Sequence, residues 1–130
     1  MFDDPQGPIE HFSWARFVIR GAEHAYTETG EVGAGKDIRI VGDTVSAWKE
    51  RKGHKLEPGM ITGVYDQNIE VLVIGNGVRG LVEVTKKTRQ AIAEHGIARL
   101  IVDKTPEACR TYNELYRQGV RVALLAHGTC

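Results

Sequence analysis

Between Val71 and Ala126, three apolar runs (Val71 to Ile74, Leu100 to Val102 and Val120 to Ala126) are separated by two stretches of helical periodicity. A strand that is apolar on both faces must be buried on both, and a parallel sheet covered by crossover helices achieves this. The second half of the chain therefore reads as βαβαβ. Its second helix is the best-marked element: Thr105 is a natural cap, Pro106 takes the first helical position and Gly119 follows the end. Ala108, Cys109, Tyr112, Leu115 and Tyr116 form one apolar stripe, with Glu107, Arg110, Asn113, Glu114 and Arg117 mostly off it. On that stripe Cys109 reads as a small core residue rather than a nucleophile.

The first half has a different style. Residues 3 to 8 hold two prolines and a glycine, which predicts a loosely docked arm over residues 1–8 and a single domain over 9–130. His11 to Ile19 alternates imperfectly, as one half-buried strand ended by Gly21, and the glycine-rich stretch to Lys36 reads as a loop or weak hairpin. Asp37 to Val41 and Thr44 to Trp48 read as two strands around a tight Gly42-Asp43 turn, giving an antiparallel meander. A short helix is expected to open near Pro58.

The run at Val71 enters Gly75-Asn76-Gly77-Val78-Arg79-Gly80, a GxGxxG pattern that in dinucleotide-binding domains opens a helix whose free N–H groups meet the pyrophosphate. Here the helix opens too late. Leu81 to Val84 reads as extended, and the first cap is Thr85. Asp103 lies 23 positions after Gly80, near the spacing of a ribose-binding carboxylate, but one spacing does not supply the missing helix. The glycines read as a tight turn and no cofactor is expected. The loop retains a candidate ligand site: Gly75, Asn76 and Gly77 for a backbone nest, Arg79 for a forked contact to an anion or phosphate, and Asp103 at the neighbouring strand end.

Polar chemistry also gathers at His127, Thr129 and Cys130, directly after the last apolar run. A Cys–His pair can attack an electrophile where the site lowers the thiol pKa, and the bland alternative is a satisfied histidine beside an ordinary cysteine. No CxxC or HExxH completes a ligand set, so no metal is expected. Lys49, Arg51, Lys52 and Lys55, interleaved with Trp48 and His54, form the only concentrated basic run and read as a solvated loop. Lys plus Arg and Asp plus Glu are both 17, which leaves no net field to draw in nucleic acid or an anionic membrane. The amino-terminal residues have neither the basic start nor the apolar stretch of a secretory signal. The expectation is a cytoplasmic protein with free thiols.

Val71-Leu-Val-Ile-Gly-Asn-Gly77, Thr105-Pro-Glu-Ala-Cys-Arg-Thr-Tyr-Asn113, Gly119-Val-Arg-Val-Ala123 and His127-x-Thr129-Cys130 together resemble the small α/β domain family of the adipogenesis-associated protein. His11-Phe12-Ser13-Trp14, Val41-Gly42 to Trp48, and Gly53-His54 agree more loosely. The mitochondrial NADH:ubiquinone oxidoreductase (complex I) assembly factor three is a more distant relative, and many bacterial and archaeal members are hypothetical proteins. The resemblance implies a three-layer α/β domain whose mixed sheet carries an additional antiparallel layer from the amino-terminal half. It implies no catalytic set, and of the loop glycines it needs only Gly75 and Gly77. The relative's role in assembling a respiratory complex implies a non-catalytic binding or assembly module with a protein partner, although the amino-terminal residues do not read as a mitochondrial targeting segment and none is expected. The alternative is a small-molecule protein or enzyme, with an anion or phosphate site at 75–80.

Overall fold

In a computed structural model describing residues 1–130, the last strand, β12 (Val122–His127), occupies the middle of a five-stranded sheet and is buried along its whole length. It pairs in parallel with β9 (Val71–Gly75), which in turn pairs in parallel with β11 (Arg99–Asp103) at the sheet edge. On its other side β12 runs antiparallel to β6 (Asp37–Val41), whose hairpin partner β7 (Thr44–Ala47) forms the opposite edge. The helices α1 (Lys86–Glu94) and α2 (Thr105–Arg117) link β9 to β11 and β11 to β12. Side chains alternate across a strand, so β12 feeds two cores. Val122, Leu124 and Ala126 face one, with Ile38, Ile40, Val71 and Val73; Ala123 and Leu125 face the other, with Leu72 and Ile74.

The first core is closed by α2 and by a second, antiparallel sheet of β1 (Phe2–Asp3), β2 (Ile9–Ser13), β3 (Arg16–Ile19), β4 (Ala22–Thr27) and β5 (Gly30–Val32), in that order. The second is closed by α1, by Trp48, Ile61 and Val64, and by the short parallel pair β8 (Lys55–Leu56) and β10 (Glu83–Val84). The chain is one α/β domain of three layers with a mixed central sheet, as the family resemblance implies.

Five details differ from the sequence reading. Ile9 to Ile19 is two strands, turned at Trp14-Ala15, where Ala15 takes a positive φ of 57°. The reason is periodic: Phe12 and Phe17 are five positions apart yet both point inward, in ring contact at 4.7 Å, which a single strand of period two cannot achieve. The meander includes only β1 to β5, because Ile38 and Ile40 carry the β6–β7 hairpin onto β12 instead. The expected helix at Pro58 is a single 3₁₀ turn, Pro58–Met60. Residues 1–8 are docked rather than loose: Phe2 pairs with Phe12 and is 4% exposed, while Asp4 accepts from Arg117 at 2.7 Å.

The fifth is Asn113, which is fully buried rather than off the packed stripe. Its Oδ1 accepts from the Ile9 N–H at 2.9 Å, and its Nδ2 donates to the Ile9 carbonyl at 2.8 Å and to Asp4 Oδ2 at 3.1 Å. One amide thus pairs both main-chain groups at the start of β2, where a strand pairing would otherwise be needed. Asn113→Ala leaves those groups unpaired beside a cavity. It should lower unfolding free energy by about 2–4 kcal/mol, read from the midpoint of urea denaturation, with the circular dichroism of the folded state unchanged.

Candidate functional site

The carboxyl ends of β9, β11 and β12 lie together, and open α/β sheets take ligands at such ends. Asn76 follows β9, and its N–H donates to the carbonyl of Asp103 at 2.9 Å. Gly77 has φ 108°, and its N–H donates to Thr105 Oγ1 at 3.0 Å. Val78 N–H donates to the Thr129 carbonyl at 2.7 Å, Gly80 N–H to that of Gly77 at 3.2 Å and Leu81 N–H to that of Cys130 at 3.2 Å. Among these loop N–H groups only that of Arg79 has no acceptor. The backbone nest expected for an anion is therefore occupied by the chain's own carbonyls and the Thr105 hydroxyl. A Cβ at Gly77 would strike the Cys130 carbonyl, so the glycine permits close approach, and what approaches is the main chain of Thr129 and Cys130.

The late helix is as the sequence predicts. Thr85 Oγ1 accepts from Thr88 N–H at 3.2 Å, and α1 starts well after the loop. Thr105 departs from its expected role, since the cap position of α2 is Lys104 and no side chain caps it. The buried Thr105 hydroxyl instead accepts from Gly77 and donates to the His127 carbonyl at 2.7 Å, tying the ends of β9 and β12 to the start of α2. Asp103 is exposed, with its Oδ1 accepting from the Lys104 N–H at 3.0 Å, and the exposed Arg79 side chain has no hydrogen-bond or ion-pair partner. Asn76 Oδ1 is buried without a partner. The fold brings Gly75, Asn76, Gly77 and Asp103 to one strand end, but there the Asn76 N–H is taken by the Asp103 carbonyl and the Gly77 N–H by the Thr105 hydroxyl.

A polar cluster lies beside this end, at the start of β6. His127, 3% exposed, places Nδ1 2.7 Å from Asp37 Oδ1 and Nε2 3.2 Å from Thr129 Oγ1. Asp37 Oδ1 also accepts from the Gly128 N–H at 3.1 Å, and Oδ2 accepts from Arg51 Nε at 2.9 Å. Burial pushes the Asp37 carboxyl up, but the hydrogen bonds and charges of His127 and Arg51 outweigh it and hold the group below its ordinary 3.8. Carboxylate, imidazole and hydroxyl in line is also the order of an acyl-transfer triad. Here the ring is closed off from solvent and Asp37 is shared three ways, so the cluster works as a strut between β6, β12 and the 48–54 loop.

Cys130 is not paired with His127: its Sγ lies 3.9 Å from His54 Nε2. Cys109 is fully buried in the first core, and burial pushes its thiol up. The basic run is not simply a solvated loop either. Arg51 belongs to the strut, and Trp48, 2% exposed, donates Nε1–H to the Met60 carbonyl at 2.8 Å within the second core. A cleft of about 290 Å³ lined by Lys36, Asp37, Trp48, Lys49 and Arg51 opens beside the strut, while a larger one, about 420 Å³, lies at the far end of the sheet by Asp43 and Arg121. Sequence reading missed Asp37, Arg51 and the Thr105 hydroxyl as partners of this end. The only available signal was a carboxylate at the first position of a strand whose Ile38 and Ile40 are apolar.

Asp37 binds its partners as the anion, so its contribution is present above pH 4 and is lost as pH falls through the lowered folded value. Asp37→Asn should cost about 2–4 kcal/mol at pH 7. In urea titrations from pH 7 to pH 2.5, the gap between variant and wild type should narrow only below the ordinary 3.8. A gap independent of pH would contradict an anionic role.

The described structure resembles several solved ones. A Bartonella henselae protein described as an outer membrane protein is 23% identical, with 95% of each chain covered and a TM-score of 0.76. MT938 is 22% identical over 94% of this chain and 97% of its own, with a TM-score of 0.72. A Bordetella pertussis protein described as a Mth938-like domain is 18% identical over 92% of this chain and 84% of its own, with a TM-score of 0.56. At these identities the likeness is one of fold. No helix of the chain is long and apolar enough to cross a membrane. The family model "Protein of unknown function (DUF498/DUF598)" matches residues 9–127, nearly the whole span over which the motifs resemble the adipogenesis-associated proteins, and the chain belongs to that family.

Proposed function

We propose that the domain is a non-catalytic binding module of the cytoplasm that holds a protein partner, as an assembly factor does. The observation that supports this reading is the filled strand end. Where a ligand-binding α/β domain leaves its loop N–H groups open, this chain places Thr129 and Cys130 against them, with Val78 and Leu81 donating to their carbonyls. The function then rests on the outer surface. Trp14 and Tyr26 are 50% and 56% exposed, and the Tyr26 N–H donates to the Ala15 carbonyl at 3.0 Å, so the two aromatics sit on adjoining segments of the antiparallel layer. Exposed Trp and Tyr are the side chains that dominate binding energy at protein interfaces.

Affinity purification from the native host after crosslinking tests the reading. Trp14→Ser/Tyr26→Ser should lose the partner recovered by the wild type, with stability changed by no more than about 0.5 kcal/mol because both side chains are exposed. Absence of any reproducible partner, or equal recovery by the variant, would count against it. In parallel, a nucleotide and phosphate panel should leave the thermal midpoint unchanged. A shift abolished by Arg79→Ala would favour the anion site at the loop instead.

A further inference from the structure

The two five-stranded sheets leave four edges, and three of them are blunted. β1 has 2 residues and β5 has 3, and an edge that short offers little to pair with. β7 alternates polar Thr44 and Ser46, the latter held by Arg39 Nε at 3.2 Å. β11 is different. Its 5 residues, Arg99-Leu100-Ile101-Val102-Asp103, pair with β9 in unbroken register, without a bulge or proline, and its three apolar side chains are only half-buried.

The orientation of its free groups follows from its pairing. Arg99 N–H donates to the Glu70 carbonyl and the Asp103 carbonyl accepts from Asn76, so residues 99, 101 and 103 direct their main-chain groups toward β9. Leu100 and Val102 direct theirs outward, where no strand meets them. At the two ends of the strand stand exposed Arg99 and Asp103, neither of which has an ion-pair partner in the chain.

We infer that β11 is a self-association edge, pairing antiparallel with β11 of a second copy about a two-fold axis at Ile101. In that register Leu100 lies opposite Val102 of the other copy and exchanges both main-chain hydrogen bonds with it, in each direction, so every outward group is satisfied. Ile101 meets its own equivalent at a close, non-hydrogen-bonded position, on the face that packs toward α2. Arg99 lies opposite Asp103 of the other copy, and Asp103 opposite Arg99. A strand reading basic, three apolar, acidic is its own complement when reversed, which selects antiparallel pairing with a second copy over parallel pairing. A one-residue slip separates the charges and turns Ile101 away from its equivalent, so the register is specified.

An interface built on one strand is smaller than the standard size, so association in the micromolar range or weaker is expected. Sedimentation equilibrium of the intact chain from about 5 μM to about 500 μM should show mass rising from 14.4 kDa toward twice that value. Arg99→Asp and Asp103→Arg each place like charges opposite one another at both ends and should weaken the dimer about tenfold or more. The double variant Arg99→Asp/Asp103→Arg restores both pairs and should restore the dimer. Both side chains are exposed, and circular dichroism checks that each variant folds. Hydrogen exchange adds a site-specific reading, in which the Leu100 and Val102 amides become protected as concentration rises. A wild type that stays monomeric throughout, single variants that associate as well as the wild type, or a double variant that fails to recover would each overturn the inference.

Discussion

Burial of β12 on both faces and along both edges is the constraint on which the other elements depend. A strand in that position can carry no exposed polar side chain until its end, and Val122 to Ala126 carries none. Both faces need cover, and the two covers come from different parts of the chain. The crossover α2 is too narrow to shield one face alone, so the antiparallel layer contributes Phe12, Phe17 and Ile19 beside Cys109 and Tyr112. On the other face α1 contributes Ile92, and the remainder comes from the irregular stretch holding Trp48, Leu56, Ile61 and Val64. The domain is thus two cores sharing one sheet.

The same constraint places the polar chemistry. Once β12 leaves the apolar interior, its first polar residue, His127, is still 3% exposed, so its ring nitrogens need fixed partners. Asp37 stands opposite it in the antiparallel register and supplies one, and Arg51 then balances the carboxylate from the loop after β7. Gly128 follows, with no space for a side chain against the Lys36 carbonyl, and it turns the chain toward the glycine loop. Thr105 fixes the junction from the side of α2, through one hydroxyl that both accepts and donates. The cluster is a consequence of ending a buried strand with a histidine, and it makes that end rigid.

Much of the second half is legible because its signals are local. Apolar runs, the Thr85 cap, Pro106 and the glycines after each helix are short-range features that fix where elements begin and end. The first half depends on contacts between distant positions and is less legible. The turn at Ala15 has no glycine to mark it, and the strand pairing of β6 depends on β12, some 90 residues away in the Asp37–His127 contact. Asn113 reads as a surface residue because helical periodicity shows which side of α2 faces the sheet, but not that a second layer covers the adjoining side. Thr105 reads as a cap because cap preference is a local average, which two buried main-chain groups from other elements override.

The glycine pattern shows where such reading stops in principle. A GxGxxG loop states that something must come within contact distance of the backbone, and it does not state what. In dinucleotide-binding domains the helix that follows immediately adds the electrostatic half of the message, a set of free N–H groups with a positive dipole end. Here α1 is displaced past Thr85, so that half is missing, and close approach is all that remains. Main chain can satisfy it as well as phosphate can, because a carbonyl oxygen accepts from the same N–H groups. The Thr129 and Cys130 carbonyls do so. A motif whose glycines stand where a cofactor's would can therefore be a packing motif, and the position of the following helix distinguishes the two.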